Sequence, residues 1–553
     1  MDKKLRFAQI VIGAVAIFLA ISMLSLSLGA GGQAPDQPAS AQPSPAAPRP
    51  VEENERMPGV PERPVEQIAT FPLENPPNPD RQLTYEPASE PEVSFEKALG
   101  DLGKYATQGV DWAACSDNPA HLCASVLAPL DWEKPEADAV KLALRKLPSS
   151  DPKKGTLFVN PGGPGAPGTD YAAAMGADRY PGYDIVGWDP RGTGQSTAVS
   201  CGSTEETDEL YALDSSPDDA TEDKALQEGF RKFAQQCRDG SGALLDHISS
   251  EEVVRDMDLL RHLVGDEKLN FLGVSYGTFI GALYAEMFPS SSGRLILDAA
   301  VEITDEDPIF QIEGFERAFR NWADWCAGQD VCVLTGESSE AIQQRVSTWL
   351  TNLDTNPIAV GDRQLTQGLA AAGIAFFLYA DESAYRSLAE TLQTAMQGQG
   401  ETLLLAADQL NGRGQDSYET IAYAFPAMAC VDVPDEGVEV APEDLEEALA
   451  KAPMLGRHMG ISYVCELWTA DSLPNLKITA AGASPILVVG STGDSATPYE
   501  QAVRMAEQLE PATLLTYEGA GHGAVTGTNS CVAEVVDKYL EDGTVPEDGK
   551  RCK

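Results

Sequence analysis

Three residues of this chain have types and surroundings suited to nucleophilic chemistry: Ser275, Asp494 and His522. Ser275 stands in Gly273-Val274-Ser275-Tyr276-Gly277. Residues 268–273 (KLNFLG) form a short apolar run that suits a buried strand, and 276–288 show helical spacing, with Phe279, Leu283 and Met287 on one face. The turn between such elements is tight, and a side chain on a close neighbour would clash within it. Glycine at 273 and 277 removes those clashes, and the hydroxyl is pushed above the sheet at a helix N-terminus, as in a G-x-S-x-G elbow.

A serine hydroxyl is a poor nucleophile until a base takes its proton. Of the five histidines, His262 falls inside a predicted helix, His121 lies between two cysteines, and His247 and His458 sit in polar surroundings. His522 differs: it stands in GAGHGA (519–524), directly after a predicted strand, where small residues leave room for an imidazole. Asp494, in GSTGDSATP (490–498), follows another strand and can fix the tautomer of that imidazole. Sites in parallel sheets collect at such carboxyl ends. The order Ser275, Asp494, His522 is that of α/β-hydrolases. The 28 positions from Asp494 to His522 leave room for one helix and one strand. Acyl transfer also needs donors for an oxyanion. The backbone N–H of Tyr276 is one, and the loop PGGPG (161–165) offers the other at Gly162 or Gly163, with Gly163 preferred.

These residues need a sheet to carry them. Residues 125–130 and 140–147 read as a first hairpin, and 155–159, 183–188, 294–297, 485–490 and 513–517 as further strands. Helices are predicted at 251–264 and near 531–540. Strands alternating with helices imply a mostly parallel sheet covered on both faces. Between 301 and 478 the pattern turns helical, with helices at 315–326, 337–353, 385–399 and 443–450. The expected fold is α/β, an α/β-hydrolase sheet with an inserted, mainly helical cap. The core is read at 94–300 and 479–553, and the cap at 301–478.

Two segments precede the core. Residues 1–30 have a short basic start and an uncharged run from 10 to 28, the pattern of a signal peptide or an N-terminal membrane anchor. Residues 31–93 are rich in Pro and Ala and lack periodicity, so they read as a disordered spacer. Export permits disulfides, and the ten cysteines have no zinc-site or C-x-x-C spacing. Neighbour pairing is the simplest connectivity: Cys115–Cys123, Cys201–Cys237, Cys326–Cys332, Cys430–Cys465 and Cys531–Cys552. A net charge of −46 argues against nucleic acid as a partner. Nothing in the pattern calls for a cofactor or metal. A membrane enters only through the N-terminal segment, if that segment is retained.

Several motifs resemble a known family. They are NPGGPG, DIVGWDPRGTGQS, LGVSYGT, GSTGDSATP and GAGHG, with WADWC, ACVDVP, CELW and the closing YLEDGTVPEDGKRC, spread from Cys115 to Cys552. Together they resemble the secreted actinobacterial α/β-hydrolases of the tripeptidyl aminopeptidase type, within the prolyl-aminopeptidase-like serine peptidases. The family's oxyanion loop often begins with His, where this chain has Asn160-Pro161. The resemblance implies an exported aminopeptidase that releases short, tripeptide-like N-terminal segments through a Ser-His-Asp acyl-enzyme. A carboxylesterase or lipase on the same triad is the alternative. An exopeptidase must hold a free ammonium, for which Glu302, Glu313, Asp432 and Glu466 are candidates, Glu466 and Glu302 first.

Overall fold

The computed structural model describes residues 103–553 apart from 150–153, 177–178, 305–308, 331, 333–337, 434–437, 439–445, 447–448, 460–461, 473–476 and 548. The expectations for 1–30 and 31–93, and most of the helix predicted at 443–450, lie outside the described residues.

A ten-stranded sheet organises the chain. Its strands are β1 (Ala113–Ala114), β2 (Leu122–Pro129), β3 (Ala139–Leu147), β4 (Gly155–Asn160), β5 (Tyr183–Trp188), β6 (Leu269–Val274) and β7 (Ser292–Asp298). A separate hairpin, β8 (Ile358–Val360) and β9 (Arg363–Leu365), intervenes before β10 (Ile486–Gly493), β11 (Ala512–Ala520) and β12 (Arg551–Cys552). The order across the sheet is β1-β2-β3-β5-β4-β6-β7-β10-β11-β12. β1, β2, β3 and β5 pair antiparallel in turn, and all later neighbours are parallel.

The central strands are apolar at successive positions because both faces are covered. Phe158, Val186, Phe271, Leu295 and Val488 enter one core. Their neighbours Leu157, Ile185, Leu272, Ile296 and Leu487 enter another. The side-chain period of two thus splits each strand between two hydrophobic layers. Helices Ser250–Val264 and Tyr276–Met287 cover the first layer, and Ser530–Asp542 the second.

Between β7 and β10 the chain builds a third hydrophobic core of its own, drawn from residues 310–459 with Ala496. Its helices are Gln311–Ala327, Ser339–Thr355, Gln367–Leu378, Tyr385–Met396 and Glu401–Leu410. Helix Ile421–Asp432 instead packs on the sheet's own core through Ala427, Met428 and Val431. All five disulfides join the neighbouring cysteines expected from the sequence. No helix of the described residues is long and apolar enough to cross a membrane.

The pairing register sets the site. Asn160 is opposite Gly273, Val274 is opposite Asp298, and Asp298 is opposite Val489. The carboxyl ends of β4, β6, β7 and β10 therefore finish abreast, and the loops that leave them meet.

Candidate active site

Ser275 joins β6 to helix Tyr276–Met287 at φ 58° and ψ −126°, a backbone state that residues with a side chain rarely adopt. Its surroundings explain both glycines. A Cβ on Gly273 would come within 2.3 Å of the carbonyl oxygen of Gly277, and one on Gly277 within 2.9 Å of that of Asn160. The strain is held by hydrogen bonds: Ser275 N–H donates to the Asp298 carbonyl at 2.9 Å, and Thr278 N–H and Oγ1–H both donate to the Ser275 carbonyl.

Asp494 and His522 are in contact. His522 Nδ1 lies 2.8 Å from Asp494 Oδ1, and both side chains are almost wholly buried. The same Oδ1 accepts the N–H groups of Ala496 at 3.0 Å and Thr497 at 2.9 Å, so the carboxylate is fixed before it meets the ring. His522 N–H donates to the Tyr379 carbonyl, and the Tyr379 ring stands edge-on to the imidazole at 5.4 Å. With Nδ1 on the carboxylate, Nε2 is the free ring nitrogen. It is buried and has no hydrogen-bond partner among the described residues. Helix Tyr499–Gln508 and β11 fill the 28 positions between the two residues, as their spacing requires.

The loop after β4 lies against the elbow. A Cβ on Gly162 would fall 2.7 Å from the Tyr276 nitrogen, so only glycine lets the two backbones approach. Gly162 N–H is already spent on Asn160 Oδ1 at 2.8 Å. Neither Gly163 N–H nor Tyr276 N–H makes a hydrogen bond among the described residues, which leaves two backbone donors beside Ser275.

The four candidate acids are placed apart. Glu302 is buried and paired with Arg504 at 2.7 Å, and it also accepts from Ile303, Thr304 N–H and Thr304 Oγ1. Glu313 caps its own helix at Phe310 N–H and faces Lys451 at 3.3 Å. Glu466 is half-buried beside Tyr463. Asp432 alone among them touches the elbow: its Oδ2 accepts the Tyr276 hydroxyl at 2.6 Å and Ser250 Oγ at 2.7 Å, and its Oδ1 accepts Ser250 N–H at 2.7 Å. Burial pushes its carboxyl up to about 6, against the pull of these donors. Glu302, a first choice from the sequence, thus has its own cation, while Asp432 sits one tyrosine side chain from the serine.

Two residues near the dyad carried no sequence signal of their own. Thr497 Oγ1 lies 3.3 Å from His522 Nδ1. Asp298 reaches the loop after His522. The DPRG motif is structural: buried Arg191 grips Asp256 at 2.7 Å and Glu252 at 3.0 Å and donates to three carbonyls. Among the described residues, Asp131, His247 and Glu252 could offer ligand atoms to an ion, but Arg191 already supplies positive charge there. His458 is buried between Ser347 and Gln367, where burial lowers it to about 4.

Comparison with known proteins identifies relatives of the chain. Residues 452–552, which hold Asp494 and His522, match the TAP-like protein family. The chain is 34% identical to the serine protease Hip1 of Mycobacterium tuberculosis over 80% of its own length and 91% of that protein. It is 30% identical to a tripeptidyl aminopeptidase of Streptomyces lividans, over 79% and 85%. It is 35% identical to a carboxylesterase B of M. tuberculosis, over 78% and 86%. The chain belongs to the TAP-like family of α/β-hydrolase serine peptidases. The match to residues 452–552 covers Asp494 and His522, and Ser275 lies outside it.

Proposed function

We propose that the protein is an exported serine aminopeptidase that releases short N-terminal peptides, with Ser275 as nucleophile, His522 as base and Asp494 as its orienting acid. The observation that carries this is the buried Asp494–His522 pair, with Nε2 left free, at the strand edge that also presents Ser275. In the first half-reaction Ser275 Oγ bonds to the scissile carbonyl carbon while His522 Nε2 takes its proton. The carbonyl oxygen gains the negative charge and accepts Gly163 and Tyr276 N–H. Collapse expels the leaving amine, which takes the proton back from His522, and the acyl-enzyme remains. Water then repeats the sequence, losing its proton to His522 and freeing Ser275.

Asp432 is the acid we assign to the substrate ammonium. A buried ammonium is costly unless paired. Asp432 is held beside the serine by Tyr276 and Ser250, and the Cys430–Cys465 bond fastens its helix. Tripeptide-length release is favoured by the likeness to the Streptomyces enzyme. Five disulfides suit an oxidising compartment, and retention by residues 1–30 through the spacer would tether the enzyme to its membrane. Rates on a tripeptide chromogenic substrate with free and acetylated N-termini, beside a p-nitrophenyl ester, test the reading. Acetylation should cost at least about tenfold, near 1.4 kcal/mol. Equal rates on the two peptides would leave an endopeptidase, or, with a faster ester, an esterase.

A further inference from the structure

Asp298, the last residue of β7, is fully buried, and no step above uses its carboxylate. It touches two separate parts of the site. Its backbone carbonyl accepts Ser275 N–H at 2.9 Å. Its Oδ2 accepts the N–H groups of Ala524 at 2.9 Å and Val525 at 2.8 Å, and Oδ1 accepts Ala524 N–H at 3.1 Å. Those amides lie two and three residues beyond His522. Gly523 makes the approach feasible, since it has φ 87° and a Cβ there would stand 3.2 Å from Oδ2. β7 also lies between the strand of the nucleophile and the strand that leads to Asp494.

We infer that Asp298 is a positioning residue for the reaction: its backbone holds the nucleophile, and its ionised carboxylate holds the histidine loop, so that Ser275 and His522 keep a fixed relation. This rests on the triad reading above. The charge has a second effect. An anionic Asp298 favours the imidazolium that forms as Ser275 gives up its proton, whereas a protonated one has lost half its acceptor capacity for the loop amides.

The titratable groups facing Asp298 are Asp494 and His522 across the site and Tyr171 and Tyr180 from beneath. Both tyrosines are pushed up by burial and stay neutral. Burial pushes Asp298 to about 6. The Val525 and Ala524 amides and His522 act against that rise, and Asp494 adds to it. A residue that only filled space would be served equally by asparagine.

The test is the rate at which a fluorophosphonate without an amine labels Ser275, measured from about pH 5 to about pH 8. Wild type should lose labelling in acid more steeply than Asp298→Asn, because Asp298, raised by burial to about 6, must be ionised to hold the histidine loop. Asp298→Asn should label about tenfold more slowly at its plateau, with a shallower slope in acid, and Asp298→Ala about a hundredfold more slowly. A wild-type labelling rate that does not fall between about pH 7 and about pH 5 overturns the inference even if neither variant folds. So does a wild-type rate in folded Asp298→Asn, or a slower rate with the slope unchanged, which marks packing alone. Labelling that persists in Ser275→Ala overturns the triad reading instead.

Discussion

Ser275 and Asp432 stand at the two ends of Tyr276, one at its backbone and the other at its hydroxyl, yet the chain fixes them by different means. Ser275, Asp494 and His522 leave the ends of parallel strands β6, β10 and β11, with β7 between the first two, so the register of one sheet sets them. Asp432 is delivered by a single helix laid over the glycine loops. Gly165 leaves space for Ala424, and Gly194 N–H donates to Thr420 Oγ1 at 2.8 Å. The proposed reacting groups are thus set by the sheet, and the acid proposed for the substrate ammonium by a helix that packs on it. Loss of the first kind should end turnover, and loss of the second should change only what is turned over.

The largest effect falls on the sheet-borne half. Asp494→Asn should lower kcat by about 10⁴ through the wrong histidine tautomer, with His522→Ala at least as severe. Near-normal turnover in Asp494→Asn would assign the third role to another carboxylate. Asp432→Asn should act differently. Its kcat/KM on a free-amine tripeptide substrate should fall about tenfold or more, while the acetylated substrate is nearly unaffected. A parallel loss on both would place Asp432 with the reacting groups and erase the contrast.

A smaller effect should follow pH. Asp432 ionises near 6 in the fold, so the preference for free over acetylated substrate should rise severalfold through that value. It should decline again above about 8, where the substrate amine loses its charge. For stability the sign is opposite. A carboxyl raised above its ordinary value favours the fold while protonated, fully below about 4, and that contribution is lost as pH rises through about 6. Asp432→Asn should therefore gain in melting temperature relative to wild type at pH 8 and not at pH 4, by about 2 °C. An equal shift at both values would deny the buried charge. The least effect on activity belongs to Cys531–Cys552, which spans 21 residues and joins helix Ser530–Asp542 to β12. Replacing both cysteines by serine should cost about 3 kcal/mol of stability, read by thermal melting, and leave Ser275 labelling nearly intact.

The two halves were not equally legible. The elbow, the dyad and the Gly163 loop follow from local runs, because a buried strand and a glycine-rich turn announce themselves within a few residues. The strands predicted at 155–159, 183–188, 294–297, 485–490 and 513–517 are all present. Helices Gln367–Leu378, Glu401–Leu410 and Ile421–Asp432 were missed. The first (QGLAAAGIAFFL) and third (IAYAFPAMACVD) are apolar on nearly every side, which leaves no stripe to detect. Helix Ala220–Ser241, also unassigned, is the reverse case, a long charged helix that buries few side chains. Asp298 looked like the plain end of a strand, since the partners of its carboxylate are more than two hundred positions away. No sequence pattern reveals that Arg504 pairs with Glu302.

The strand order has a consequence for how the enzyme comes into being. β7 ends at Asp298, and its partner β10 begins at Ile486, after the whole helical insertion. Until that late segment emerges, β7 is an open edge, with its apolar side chains and pairing groups uncovered. Non-local parallel pairing of this kind is slow and exposed to misassociation. The same delay keeps the growing chain harmless: a polypeptide cut short before β10 carries the serine but neither of its partners.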